Sequence, residues 1–306
     1  MKHIALLYAS VLMAGVGCSA SKTSADIDQA LTWLPANTET MLACRGPFEP
    51  TGRWETALQA CQTVSTIGLP NDGEALGQIR ANWIVQGTRN YRPATSLGLC
   101  RYDGCKIIGL RRGASADAAG WARKAAADSF TFANQKVYVF RERKETDQWS
   151  FYVTFVGDLM FCATDKTYLA QVLNRKNTQP ADRALPSRLP QWKYIDRAAP
   201  FWAVRRFTPQ ANKARYGMNM DDEGLTGYAV SLDKRAERLT VISMSKSHDG
   251  HEKAKAFWNN MMTPRSTFPV IPRLDGYTKI VFGEKKEDWG TIGLFLVAAL
   301  GHPVFI

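Results

Sequence analysis

The sequence predicts an α+β fold of two related modules, each an antiparallel sheet backed by helices. The first observation behind this prediction is residues 149–176, whose pattern is strand, two-residue turn, strand and helix. The second is that strand, hairpin and helix recur in the same order in both halves of the chain. The third is a set of prolines that divides these halves: Pro180, Pro186, Pro190 and Pro200.

The unit at 149–176 is the best-defined part of the prediction. Alternating apolar residues over 151–156 are typical of a strand with one apolar face. Gly157-Asp158 has turn chemistry, and the apolar run over 159–163 predicts a second, buried strand. Thr164 or Asp165 can cap a helix whose apolar residues recur at spacings of three and four. All of these features describe packing, and none describes chemistry.

The same patterns assign the rest of the chain. In the first half we expect a strand at 38–45, a helix near 54–64, a hairpin of strands 97–100 and 106–110 turning at Asp103-Gly104, a helix at 115–127, and strands near 130–132 and 136–140. Residues 74–92 remain ambiguous. In the second half we expect strands at 201–207, 227–232, 239–245 and 277–282, a helix near 251–262 and an apolar segment at 291–300. This order of elements is comparable to that of ferredoxin-like units.

The first seventeen residues have the composition of a secretory signal peptide. Their apolar run, Ile4 to Val16, is shorter than the roughly 20 residues that a membrane span needs. Gly15-Val16-Gly17-Cys18 resembles the lipobox of bacterial lipoproteins, although Gly15 departs from the usual Leu. The resemblance covers only about the first 24 residues. It implies that Cys18 is acylated and becomes the mature N-terminus.

The lipobox resemblance also carries expectations about location. Several acyl chains, such as palmitate, on Cys18 would form a stable membrane anchor. Ser19, in place of Asp after the cysteine, implies sorting to the outer membrane of a Gram-negative cell, facing the periplasm. The alternative is an ordinary secretory peptide cleaved near Ala20, in which Cys18 has no such role.

Five cysteines remain once Cys18 is assigned to lipid, and an odd number leaves at least one without an intramolecular partner. Cys162 lies in a predicted apolar strand and is interpreted as a small buried hydrophobe. Cys100 and Cys105 flank the predicted four-residue hairpin loop, so an exported protein could join them in a disulfide. A further bridge could join Cys44 and Cys61. The spacing of these cysteines does not predict a metal site.

Positive charge is concentrated in one part of the chain. The formal net charge is +11, and residues 101–144 hold ten basic and four acidic side chains, a net of +6. We select Arg111, Arg112, Arg141 and Arg143 as candidate contacts for a polyanion, such as lipid headgroups, glycan phosphates or another envelope polymer. The alternative is a solvated basic face. Nucleic acid is not an expected partner, because no recognition module is present and the leader implies export.

His248 and His251 form the one local cluster that resembles a metal or acid–base site. They are three residues apart with Gly250 between them, whereas zinc-binding histidines on one helical face are four apart. Helix capping by Ser247 or Asp249 is the simpler interpretation. The sequence contains no nucleophile elbow, phosphate-binding loop or dinucleotide fingerprint, so we assign no catalytic residue, metal ligand or cofactor.

The sequence therefore favours a lipid-anchored envelope protein that acts by binding or structural interaction, with an anionic polymer or another envelope protein as partner. The alternative is an exported hydrolase or metal-dependent enzyme centred on His248 and His251. The predicted segments are a signal peptide (1–17), a lipidated tether with a short helix (18–37), a first module (38–180), a Pro-containing linker (181–200) and a second module (201–306).

Overall fold

The described part of the chain is mainly antiparallel sheet with a few helices, which confirms the α+β class. The computed structural model describes residues 26–46, 48, 80–93, 100–144, 147–175, 184, 190–206, 225–232, 239–245, 252, 270–272 and 277–282. Within these ranges the strands are β1 (Thr40–Arg45), β2 (Ala81–Pro93), β3 (Cys100–Leu110), β4 (Asp128–Phe132), β5 (Gln135–Lys144), β6 (Asp147–Val156), β7 (Leu159–Ala163), β8 (Phe201–Arg206), β9 (Leu225–Leu232), β10 (Leu239–Ser245), β11 (Val270–Pro272) and β12 (Tyr277–Phe282). The helices are α1 (26–31), α2 (Ser115–Ala125), α3 (Lys166–Asn174) and a short 3-10 helix (Pro190–Tyr194).

The described strands form one sheet in the order β11-β12-β10-β9-β8-β1-β2-β3-β7-β6-β5-β4. Every neighbouring pair is antiparallel. At the centre, β1 from the first half of the chain pairs with β8 from the second, with Leu42 opposite Ala203. The sheet is therefore continuous across the predicted boundary between the modules.

The strand order departs from the ferredoxin-like arrangement that we expected. A split βαβ unit places another strand between the two strands that its helix joins. Here β1 and β2, which the predicted helix at 54–64 would connect, are direct neighbours with Ala43 opposite Val85. The described strands thus share the antiparallel character of a ferredoxin-like unit but not its strand order.

The unit at 149–176 has the structure predicted for it. Strands β6 and β7 pair through a turn in which Gly157 has φ 59°, a left-handed conformation that favours glycine. Asp165 caps α3, because its Oδ1 accepts a hydrogen bond from the Tyr168 backbone N–H at 2.7 Å. The apolar stripe of α3 is buried against the sheet: Tyr168, Leu169, Val172 and Leu173.

The predicted turn at Asp103-Gly104 is wrong. Residues 100–110 form one uninterrupted strand, β3, which pairs with β2 on one side and with β7 on the other. Asp103 lies opposite Arg89, and their side chains form an ion pair at 3.9 Å. Pairing on both sides satisfies the backbone of β3, and this overrides the local turn preference of the Asp-Gly dipeptide.

Several other predicted elements are confirmed in the second half. Strands β8, β9, β10 and β12 lie where the sequence patterns place them, and β9 pairs with β10 as expected. The 3-10 helix falls within the predicted linker, and its Trp192 packs edge-on against Trp202, with ring centroids 4.9 Å apart. The predicted segments at 54–64 and 291–300 lie outside the described residues, as does the helix near 251–262 apart from helical Glu252.

The sheet separates two apolar cores. Its first face carries Leu42 and Ala203 and is covered in part by α2, which buries Ala118 and Ala122. Its second face carries Met41, and α1, α3 and the 3-10 helix pack against it. Because both faces are covered, the central strands bury mainly apolar side chains on both sides.

A small polar network ties α3 to the loop after α1 on the second face. The Thr38 hydroxyl donates to the Pro35 carbonyl at 2.6 Å, so the buried Tyr168 hydroxyl donates to Thr38 Oγ1 at 3.1 Å. The Arg89 guanidinium lies over the Tyr168 ring, 4.7 Å from its centroid. Burial raises the pKa of Tyr168, which keeps its phenol protonated and able to donate.

Two glycine substitutions compare a tightly packed position in the sheet with an open position on α2. A methyl group on Gly109 would collide with the indole of buried Trp83, whereas one on Gly120 of α2 would meet no atom within 4 Å. We expect Gly109→Ala to lower the free energy of unfolding by about 2 kcal/mol, because of overpacking. We expect Gly120→Ala to raise it by about 0.5 kcal/mol, because Ala favours the helix. Urea unfolding of both variants measures the difference, and an unchanged Gly109→Ala protein would contradict the contact with Trp83.

Candidate functional site

An open groove of about 580 Å³ lies beside β4 and β5, at one end of the sheet. Its floor is the first face of these strands, and its wall is the C-terminal end of α2 with the residues that follow. The lining residues are Arg123, Ala126, Ala127, Asp128, Ser129, Lys136 and Tyr138. We call this feature the cationic groove.

Regular contacts fix the wall of the groove above its floor. The Ala127 backbone N–H donates to the Val139 carbonyl of β5 at 2.9 Å. Trp121 of α2 stacks on Phe140 of β5, with ring centroids 5.2 Å apart and an interplanar angle of 22°. The groove is therefore built from a helix and a hairpin that are held together.

The charge that the groove presents is positive. Arg123 and Lys136 are both exposed. Asp128 is the acidic residue of the lining, but its Oδ1 accepts the Ser129 N–H at 2.7 Å and its Oδ2 lies 3.7 Å from the Arg141 guanidinium. That ion pair is about half exposed and therefore weak. With hydroxyl groups from Ser129 and Tyr138, the arrangement can hold an anionic group.

The four arginines predicted to contact a polyanion do not form one cluster. Arg111 and Arg112 are exposed in the turn between β3 and α2. Arg141 is exposed on β5, and Arg143 lies further along that strand opposite Gln148. Strands β7 and β6 lie between β3 and β5. When their pairing is followed across the sheet, the end of β3 lies level with Gln135, at the start of β5. The rise per residue then separates the two pairs by about 20 Å along the strands.

Sequence reasoning missed Arg123 and Lys136 as a pair. Both belong to the basic segment at 101–144, so the charge count had already indicated the region in which they lie. They are brought together only by the packing of α2 on β5, which the sequence pattern does not specify.

The predicted disulfide between Cys100 and Cys105 is wrong. Both residues lie in β3, and Cys105 is a free, buried thiol. Five residues of extended strand separate their Cα atoms by about 16 Å, far beyond the roughly 4.4–6.8 Å of a disulfide. Cys44 is buried in β1, whereas Cys61 lies outside the described residues, so the bridge suggested between them stays a prediction.

The interpretation of Cys162 as a buried hydrophobe is confirmed. Its thiol is free, and burial raises its pKa to about 12. Burial also raises the pKa of Cys105 well above its ordinary value. Both thiols are therefore neutral near neutral pH, which suits packing and not nucleophilic chemistry.

A row of buried polar side chains crosses the middle of the first face. Its members occupy neighbouring positions on five adjacent strands: Ser243, Tyr228, Arg205, Thr40 and Thr88. Buried polar groups of this kind must find hydrogen-bond partners, so the row helps to specify the register of the central strands.

His248 and His251 lie outside the described residues. Among the residues that the structure describes, no group of three or more His, Cys, Asp or Glu side chains could hold a metal ion. Within the same ranges, no helix is long and apolar enough to cross a membrane.

The fold defines the chain as an α+β protein built on one large antiparallel sheet. The chain is similar to TP0453, whose crystal form III matches with a TM-score of 0.50 and 8% identity, over 86% of this chain and 97% of that one. Crystal form I of TP0453 matches with a TM-score of 0.46 and 8% identity, over 87% of this chain and 96% of that one. No family model and no curated protein matches the sequence. At 8% identity, the likeness to crystal form III shows a shared fold alone.

Thiol labelling tests the state of the cysteines. In the native protein without reductant, we expect Cys105 and Cys162 to resist alkylation at about pH 8, since both are buried and protonated. After addition of denaturant, still without reductant, both should label fully. Peptide mass spectrometry reads the result, with a reduced sample as control. A linked Cys100–Cys105 peptide would contradict the structure.

Proposed function

We propose that this chain is a lipid-anchored protein of the bacterial cell envelope that acts by binding, through the cationic groove. The groove itself is the observation that carries the binding role. It is open, it is built on packed regular elements, and it presents exposed Arg123 and Lys136 to solvent. The lipobox-like sequence at 15–18 supports the anchor, and Ser19 supports the outer membrane facing the periplasm.

The proposed anchor would keep the folded chain close to the membrane. Eight Cα–Cα steps lead from Cys18 to Asp26, at the start of α1. Even when fully extended they span at most about 29 Å. Partners in reach would be another envelope protein or an anionic polymer near the membrane surface.

We further propose that the two halves of the sheet are related modules. From the centre outward, β1-β2-β3-β7-β6 in the first half corresponds to β8-β9-β10-β12-β11 in the second. Two related units that meet edge to edge through β1 and β8 would be related by a local twofold axis near Leu42 and Ala203. The hairpin β4–β5 has no counterpart among the described strands of the second half. The cationic groove lies on this additional hairpin, which supports a specific role for it.

The alternative of an exported hydrolase or metal-dependent enzyme around His248 and His251 stays a prediction. Both histidines lie outside the described residues.

Mass spectrometry of the mature N-terminus tests the anchor. We expect the full chain, expressed in a Gram-negative host, to begin at Cys18 with a diacylglyceryl and an N-acyl group. Cys18→Ala should move the protein from the membrane fraction to the soluble periplasmic fraction, because it removes the acyl chains. An unmodified N-terminus after Ala20 would instead indicate an ordinary secretory peptide.

A further inference from the structure

We infer that the cationic groove binds a phosphate group, held jointly by Arg123 and Lys136. The inference deepens the proposed function and rests on it for the envelope setting, while the groove's geometry carries the chemistry.

The two cations approach the groove from different elements. Arg123 belongs to the last turn of α2, which forms the wall, and Lys136 belongs to β5, which forms the floor. Lys136 and Tyr138 are two residues apart and face the same side of the sheet, about 7 Å apart along the strand. Ser129 lies directly opposite Tyr138. An anion in the groove would thus meet positive charge from two directions and a hydroxyl from β4.

Phosphate suits this set of donors. An arginine guanidinium can donate two parallel hydrogen bonds to phosphate oxygens, and a lysine ammonium adds a compact point charge. Tetrahedral phosphate presents oxygens in several directions, so it can accept from the wall and the floor together.

The charges around the groove favour an anion over a cation. Asp128 is the acidic lining residue, and the register of β4 with Val139 places it on the second face, where Arg141 meets its carboxylate. The C-terminal end of α2 carries partial negative charge, which opposes an anion. Binding therefore depends on both cations, and the loss of either should weaken the affinity for the anion strongly.

Lys124 provides a control that distinguishes phosphate binding in the groove from a general electrostatic role of the surface cations. It follows Arg123 in the last turn of α2 and is exposed in the same way, but it does not line the groove. If these cations serve only solubility or the helix dipole, the loss of Arg123 and the loss of Lys124 should have the same effect. If the groove is a site, the effects should differ.

The experiment uses the full-length chain in micelles of a neutral detergent and titrates glycerol phosphate by calorimetry. We expect saturable binding that weakens about tenfold in Arg123→Ala and in Lys136→Ala, and changes less than about twofold in Lys124→Ala. All three side chains are exposed, so the variants should fold, and circular dichroism checks this. No saturable binding by the unaltered chain, or equal losses in all three variants, would overturn the inference.

A second arm identifies where the phosphate comes from. Phosphatidylglycerol is added to the micelles, and glycerol phosphate binding is measured again. If phosphatidylglycerol competes with glycerol phosphate, and this competition disappears in Lys136→Ala, a lipid headgroup would be identified as a ligand of the groove. Binding of glycerol phosphate without such competition would identify a soluble or glycan-borne phosphate. Both outcomes support the phosphate site.

Failure of this inference and failure of the proposed anchor are distinguishable. Acylation of Cys18 is read by mass spectrometry and does not depend on the groove. An acylated chain that binds no phosphate would overturn the ligand class alone, whereas a phosphate-binding chain without acylation would overturn the anchor alone.

Discussion

The antiparallel ladder between β1 and β8 joins the two halves of the chain, and every other part of the sheet depends on it. Five residue pairs make this contact, from Thr40 opposite Arg205 to Cys44 opposite Phe201. The first five residues of each strand are buried, on both faces of the sheet. Strands of this kind are stable only between two packed layers. The ladder is therefore stable only when helices cover the second face of the sheet and the first face is covered as well.

The residues leading into β8 are fixed to the end of β1, which holds the ladder in register. The Arg45 backbone N–H donates to the Pro200 carbonyl at 2.8 Å, and its guanidinium donates to the carbonyls of Ala199 and Arg197 at 2.5 and 2.9 Å. Burial lowers the pKa of Arg45, and nearby acidic residues such as Asp28 offset part of this effect. Arg197 in turn forms an ion pair with Asp28 of α1 at 3.1 Å. Segments distant in sequence thus converge at one end of the central ladder.

How much of the structure could be predicted depended on whether the signal was local. The unit at 149–176 was predictable because its turn, cap and apolar stripe all lie within a short stretch. Strand β3 was misassigned because the Asp-Gly dipeptide is a local turn signal, whereas the strand is fixed by two neighbours distant in sequence. The same error produced the false disulfide, since Cys100 and Cys105 could face each other only across a turn. For the candidate site, the basic segment was evident, but the pairing of Arg123 with Lys136 depends on tertiary packing.

Substitutions in the cationic groove should affect stability much less than substitutions in the central ladder. The central ladder is buried on both faces, so substitutions there act on stability through cavities and overpacking. Arg123 and Lys136 are exposed at the end of the sheet, where substitutions usually change stability by less than about 0.5 kcal/mol. Substitutions in the groove can therefore leave the sheet intact. The proposed phosphate ligand therefore rests on the residues of this chain, in which Arg123 and Lys136 both line the groove.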